Sequence, residues 1–204
     1  MDTIKVTRKT TESEMSVLLD FSPIKADYRE RINTPIPFLS HMIEHTVWRA
    51  GFNIEVDVKL DKFVLTHVIC EDLGIALGKA VAEYVKGEDV VGYGDARGII
   101  DEAKAATAIS FESRALSIID NNGVDIPPMV ESMASEDLKV FLDGFAQGAC
   151  CTLQLDILRG ENAHHIWEAA FRSFGEALKA VVKKDPSRAG QTSGVAGKIE
   201  WVIE

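Results

Sequence analysis

The chain has 204 residues, 46% of them hydrophobic, enough for one substantial core or two half-domains fused through a shared one. A formal charge of −10 argues against a broad nucleic-acid surface, but leaves room for a local basic pocket that holds a phosphate. No apolar run is long enough to span a membrane and the amino terminus lacks a signal-peptide core, so a cytoplasmic protein is expected.

Residues 3–20 read as one extended segment or a hairpin arm, and 21–33 as a less regular stretch with a short strand or loop. A helix starts at Pro37, with Ser40 placed to cap its first turn and Gly51 placed to end it. Phe52 to Leu60 alternates as a strand with one wet face, and a second helix runs from His67 to about Lys86-Gly87. Gly92-Tyr-Gly-Asp-Ala-Arg-Gly reads as a break. Beyond it come strands at Ala103 to Ser110 and Arg114 to Ile119, then a helix from Ser135 to about Ala149. Cys151 to Leu158 alternates as another strand, and the apolar spacing from Ile166 to Val182 gives an amphipathic helix. Gly190-Gln-Thr-Ser-Gly-Val-Ala-Gly reads as a flexible tail before a last strand, Lys198 to Ile203. Trp48 and Trp167 are expected in the core or at subunit contacts, and Cys70, Cys150 and Cys151 as reduced thiols.

The element order therefore repeats, in half-repeats of 1–90 and 91–204. Each half ends on a helix opened by one motif: His67-x-x-x-Glu71 in the first, His164-x-x-x-Glu168 in the second. Residues four apart lie one above the other on a helix, so each motif sets an imidazole beside a carboxylate. His165 adds a ring, Arg172 continues the stripe one turn on, and His41 with His45 makes a third four-apart pair. Imidazoles mixed with carboxylates suit manganese, iron or zinc better than the all-oxygen shells of magnesium and calcium. With donors split between two related halves, convergence across a subunit contact is as plausible as convergence within one chain.

These residues resemble the imidazoleglycerol-phosphate dehydratases of histidine biosynthesis over nearly the whole chain. The likeness is carried by Arg8-Lys-Thr-Thr-Glu12, Pro37-Phe-Leu-Ser-His41-Met, Glu71-Asp, Gly94-Asp with Asp101-Glu-Ala, and Asp185-Pro. Its most specific part is Gly160-Glu-Asn-Ala-His164-His165-Ile-Trp-Glu168-Ala. The resemblance implies a duplicated α/β (α+β) protein, ribosomal protein S5 domain 2-like, each half a mixed sheet with two helices on one face. It also implies a homo-oligomer, built through trimers into a 24-subunit shell, with two manganese ions between subunits. The reaction implied is dehydration of imidazole glycerol phosphate to imidazole acetol phosphate. Metal ligands then fall on His41, His67, Glu71, His164, His165 and Glu168. Glu12 falls on the family's acid/base carboxylate, and Arg172 on a basic residue one turn after the last ligand, beside the catalytic Glu168. The substrate phosphate falls to Arg114 and Lys198.

The departures cut into that set. The family's Asp-His-His before Glu71 is Thr66-His67-Val68 here, and its Glu-His pair in the third helix is replaced at Lys139-Val140. Ser40 replaces an aspartate that would orient a ring, and Arg49 and Gly92 replace a histidine and an arginine. Valine donates to no metal, so two full manganese sites of the family's kind are not expected. His45, on the face of His41, is the candidate substitute. Three readings stay open on the sequence. One is a divergent dehydratase with a reduced metal set. The second is a relative that binds a metal or a small phosphorylated ligand for other chemistry. The third is a non-catalytic paralogue.

Overall fold

The structure is a computed structural model that describes residues 2–189, 191–197, 199 and 202. Lys198 lies outside the described residues, as does all but 199 and 202 of the strand expected from Lys198 to Ile203.

The first half contributes β1 (Thr3–Lys9), β2 (Ser13–Asp20), β3 (Ile32–Asn33), α1 (Pro37–Ala50), β4 (Asn53–Leu60) and α2 (Thr66–Gly87). The strands form one sheet in the order β1-β2-β4-β3, antiparallel except for the parallel pair of β3 with β4. The hairpin reading of residues 3–20 is the one realised. The second half contributes β5 (Tyr93–Ile100), β6 (Ala103–Ser110), β7 (Leu116–Asp120), α3 (Ser135–Ala149), β10 (Thr152–Arg159) and α4 (Ala163–Val181). A small ribbon, β8 (Met129–Val130) with β9 (Met133–Ala134), precedes α3. This sheet runs β5-β6-β10-β7, again antiparallel except for the last pair. Topology and strand sense therefore repeat element for element: α1 corresponds to α3, and α2 to α4.

Alternation decides which face of each sheet is covered. β2 and β6 bury every second residue, Met15, Val17 and Leu19 in one, Ala103, Ala105, Thr107 and Ile109 in the other. In the first sheet α2 packs on β1 and β2, and α1 on β3 and β4. In the second, α4 packs on β5 and β6, and α3 on β7 and β10. The halves then close helix on helix, α1 against α4 and α2 against α3. Phe141, Phe145, Trp167, Phe171 and Phe174 are fully buried here, with Phe145 and Phe174 edge to face at 4.9 Å. Each such ring contributes about 1.5–3 kcal/mol by leaving water.

Two local expectations need correction. The segment Gly92 to Gly98 is not a break, since all but its first residue belong to β5. Its glycines answer a close approach of α4. A Cβ at Gly94 would stand 2.0 Å from the carbonyl oxygen of Ala177, and one at Gly98 2.1 Å from that of Ala169. Ser40 does not cap α1: the helix begins with Pro37 in its first turn, and the Ser40 hydroxyl meets that of Thr34 at 2.7 Å. Gly51 does end it, in the left-handed region at φ 76°. Trp167 is core, with its indole N–H donating to Ser135 at 3.1 Å, whereas Trp48 is exposed in the single chain. The three cysteines are free thiols, and burial pushes Cys70 and Cys151 up to about 12.

Candidate metal centre

The contact of α1 with α4 sets a polar cluster inside otherwise apolar packing. α4 is started by Asn162, whose side-chain oxygen accepts the backbone N–H groups of His164 and His165. From that cap the helix carries His164 onto the turn below Glu168, and the ring Nε2 lies 3.3 Å from Oε2 of Glu168. α1 brings two more imidazoles to the same carboxylate. His45 Nε2 lies 3.3 Å from Glu168 Oε1, His41 Nε2 lies 3.8 Å from Oε2, and the two ring nitrogens are 3.3 Å apart. Among the described residues, His41, His45 and Glu168 form a group whose donor atoms all lie within 4.8 Å of one another.

Donors held about 2.1 Å from a shared ion, at roughly 90–110° to each other, stand about 3.0–3.5 Å apart. Two of the three spacings within this trio are of that size, so His41, His45 and Glu168 fit a divalent transition ion. The outer ring atoms point the same way. His41 Nδ1 faces Glu44 at 3.2 Å, and His164 Nδ1 faces Glu131 at 2.9 Å. A carboxylate on Nδ1 keeps the proton there and turns the Nε2 lone pair inward. Burial, with the help of His41 and Arg172 and against the pull of Glu168, pushes the His45 ring down to about 4. Glu168 is buried, and Arg172 pairs with its Oε1 while donating to the Ile99 carbonyl at 2.8 Å.

The remaining sequence candidates do not join this cluster within one chain. His165, next to His164 but turned about 100° around the helix, meets Glu102 at 2.8 Å through Nδ1, which raises its pKa. His67 opens α2 with its side chain 61% exposed, 3.7 Å from Asp137, and Glu71 sits half-buried one turn on. Val68 is half-buried beside them, and Val140 packs against the core. Glu12 stands exposed in the β1–β2 turn. That turn is tied to α2 because buried Asp72 takes both the Ser13 hydroxyl at 2.8 Å and Arg8 at 2.7 Å. Arg114 is exposed ahead of β7, its carbonyl accepting from Thr152. Spacing alone had no means of finding Glu131 and Glu102, which reach their rings from other elements, whereas Glu44 is three residues after His41 on α1 and within reach of an i, i+3 reading.

A family model described as Imidazoleglycerol-phosphate dehydratase matches residues 34–178. A relative in Ralstonia nicotianae, named imidazoleglycerol-phosphate dehydratase, is 33% identical over 201 residues, covering 96% of this chain and 97% of its own. One of the same name in Burkholderia multivorans is 33% identical over 205 residues, covering 98% and 100%. Among solved structures, IGPD from Pyrococcus furiosus in complex with (S)-C348 superposes with a TM-score of 0.79 at 28% identity, covering 95% of this chain and 99% of that one. The enzyme from Staphylococcus aureus shares the fold, with a TM-score of 0.73 at 24% identity. Matched from just ahead of α1 to near the end of α4, a span that includes every donor gathered around Glu168, the chain belongs to the imidazoleglycerol-phosphate dehydratase family.

Proposed function

We propose that this chain is a metal-dependent lyase that dehydrates imidazole glycerol phosphate to imidazole acetol phosphate, a step of histidine biosynthesis. The observation that carries the reading is the convergence of His41, His45 and His164 on buried Glu168 in a chain of this family. His41, His45 and Glu168 would hold the ion, with His164 beside the same carboxylate, and manganese is the proposed choice. When bound, it supplies a Lewis acid and a template for the substrate's imidazole.

The chain's own groups divide the remaining work. Elimination of water breaks a carbon–oxygen bond and takes a proton from the neighbouring carbon, so a carboxylate must come within hydrogen-bond reach of both. Glu12 is the proposed acid/base, carried on a turn that Asp72 fixes to α2. Arg172 holds Oε1 of Glu168, the oxygen that His45 also faces, while His41 and His164 face Oε2. The phosphate is assigned to Arg114 and Lys198, the latter outside the described residues. Glu12, His67 and Arg114 stand away from Glu168 in a single chain, so the complete site is proposed to form between subunits of a trimer or a 24-mer. The half-repeats of 1–90 and 91–204 are the proposed building units, and the cytoplasm the proposed location. Among the described residues no helix is long and apolar enough to cross a membrane.

The test is turnover. Metal-free protein reloaded with manganese should convert imidazole glycerol phosphate to the ketone, followed by proton NMR, and lose that activity on chelation. Protein that holds manganese yet leaves the substrate unchanged would favour the non-catalytic reading, which Val68 and Val140 already support.

A further inference from the structure

The duplicated topology gives the α1–α4 seam a counterpart, the seam between α3 and α2. Equivalent positions can therefore be compared inside one chain. His67 and Glu71 occupy on α2 the places of His164 and Glu168 on α4, and α3 faces them as α1 faces α4. The chemistry is not equivalent. On the α2–α3 seam Val68 replaces the second ring, half-buried Val140 packs against the core, and His67 lies largely in solvent with Asp137 at 3.7 Å. On the α1–α4 seam three imidazoles face one carboxylate, and one of the three is His45, a ring the resemblance does not assign to the metal.

We propose that His45 is a metal ligand and that this chain builds a single mononuclear centre per subunit, on α1 and α4, with no second centre on α2 and α3. The proposal rests on the metal-dependent reading above and goes beyond it. His45 Nε2 is 3.3 Å from His41 Nε2 and 3.3 Å from Glu168 Oε1, spacings that a shared ion produces. Two rings meeting Nε2 to Nε2 can share one proton between them, which satisfies one contact. An ion at their centre satisfies those contacts and the carboxylate together. One helical turn separates His41 from His45, so both rings are presented by a single rigid element. A donor set that mixes imidazoles with a carboxylate suits manganese, iron or zinc.

The experiment titrates metal-free, full-length protein with Mn2+, counts bound ions by elemental analysis and reads directly bonded nitrogens from the 14N modulation of the Mn2+ electron spin echo. Wild type, His45→Gln and His45→Ala are compared, with circular dichroism and particle mass confirming that each variant folds and assembles. Expected are about one ion per chain for wild type, loss of one coordinated nitrogen in both variants, and affinity lower by at least about tenfold, the least that losing even an outer partner of a ligand costs. Two ions per chain, or variants that keep the nitrogen count and the affinity, overturn the proposal. If wild type turns over substrate but ignores the His45 substitutions, only the ligand assignment fails. If one ion binds through His45 and no turnover follows, the dehydratase reading fails and the centre stands.

Discussion

The Glu102 carboxylate accepts the backbone N–H of Asn162 at 2.9 Å, and Asn162 in turn accepts the N–H groups of His164 and His165 at 2.8 and 3.4 Å. A residue from the β5–β6 turn thus sets the cap of α4, and the cap sets the direction in which His164 leaves the helix. Asn162, the N–H of Glu161 and the His165 ring hold Glu102 down to about 2, the Asn162 contact contributing most. Glu102→Ala should loosen the first turn of α4, with amide exchange at His164 and His165 faster by about tenfold, the effect of one ordinary hydrogen bond on local opening. Glu102→Gln, which keeps an acceptor, should exchange more slowly than the alanine variant. Equal protection in all three proteins would detach the turn from the cap.

Arg172 neutralises Glu168 in the absence of an ion. Glu168 is 5% exposed and Arg172 22%, so Arg172→Ala leaves a buried carboxylate without its cation. Metal-free protein should lose about 1–3 kcal/mol, less than two fully buried partners would give. Manganese should restore most of that loss, since a ligand at a hundredfold excess over its Kd adds about 2.7 kcal/mol. Thermal unfolding with and without Mn2+ reads both effects. A loss that manganese does not repair would place Arg172 outside the electrostatics of the centre.

The close approach of α4 to β5 is equally open to test. Gly94→Ala would push a Cβ to 2.0 Å from the Ala177 carbonyl oxygen, which is backbone and cannot swing aside. The expected loss is about 1–3 kcal/mol, seen as a lower urea midpoint with unchanged slope. An unchanged midpoint would mean that α4 is free to move off the sheet.

Acid stability should depend on Asp20, far from the metal cluster in sequence. Its carboxylate meets Lys25 at 2.8 Å and accepts the Ser22 N–H at 2.9 Å, and these, Lys25 first, hold it down to about 2 from an ordinary 3.8. A depressed carboxylate contributes stability that is full above its unfolded pKa and is lost as pH falls through the folded one. Wild type should exceed Asp20→Asn by on the order of 1–2 kcal/mol above pH 4, discounted for screening of the partly exposed lysine, and the gap should close toward pH 2. Urea unfolding across that range checks it; a gap that persists at pH 2 would rule out the carboxylate as its source.

Much of this architecture is readable before any coordinates. Gly51 at the end of α1 and the period of α4 are local signals, and the four-residue spacing of His164 and Glu168 fixes their contact. What stayed hidden is non-local. β5 reads as a turn because its glycines answer a helix some 70 or more residues later in the chain, through Ala169 and Ala177. Spacing also groups His165 with Glu168, whereas the ring is drawn to Glu102 on another turn. The four-apart pair on α1 is plain in the sequence, but its approach to Glu168 depends on how the two halves close.

The central claim, that α1 and α4 hold the ion the reaction needs, is tested most directly by anomalous diffraction at the manganese edge from crystals of the metal-loaded protein. The account predicts one strong peak per chain, within about 2.5 Å of Nε2 of His41, Nε2 of His45 and a carboxylate oxygen of Glu168. A peak that lies away from these atoms, or one toward which His45 does not turn, would contradict it.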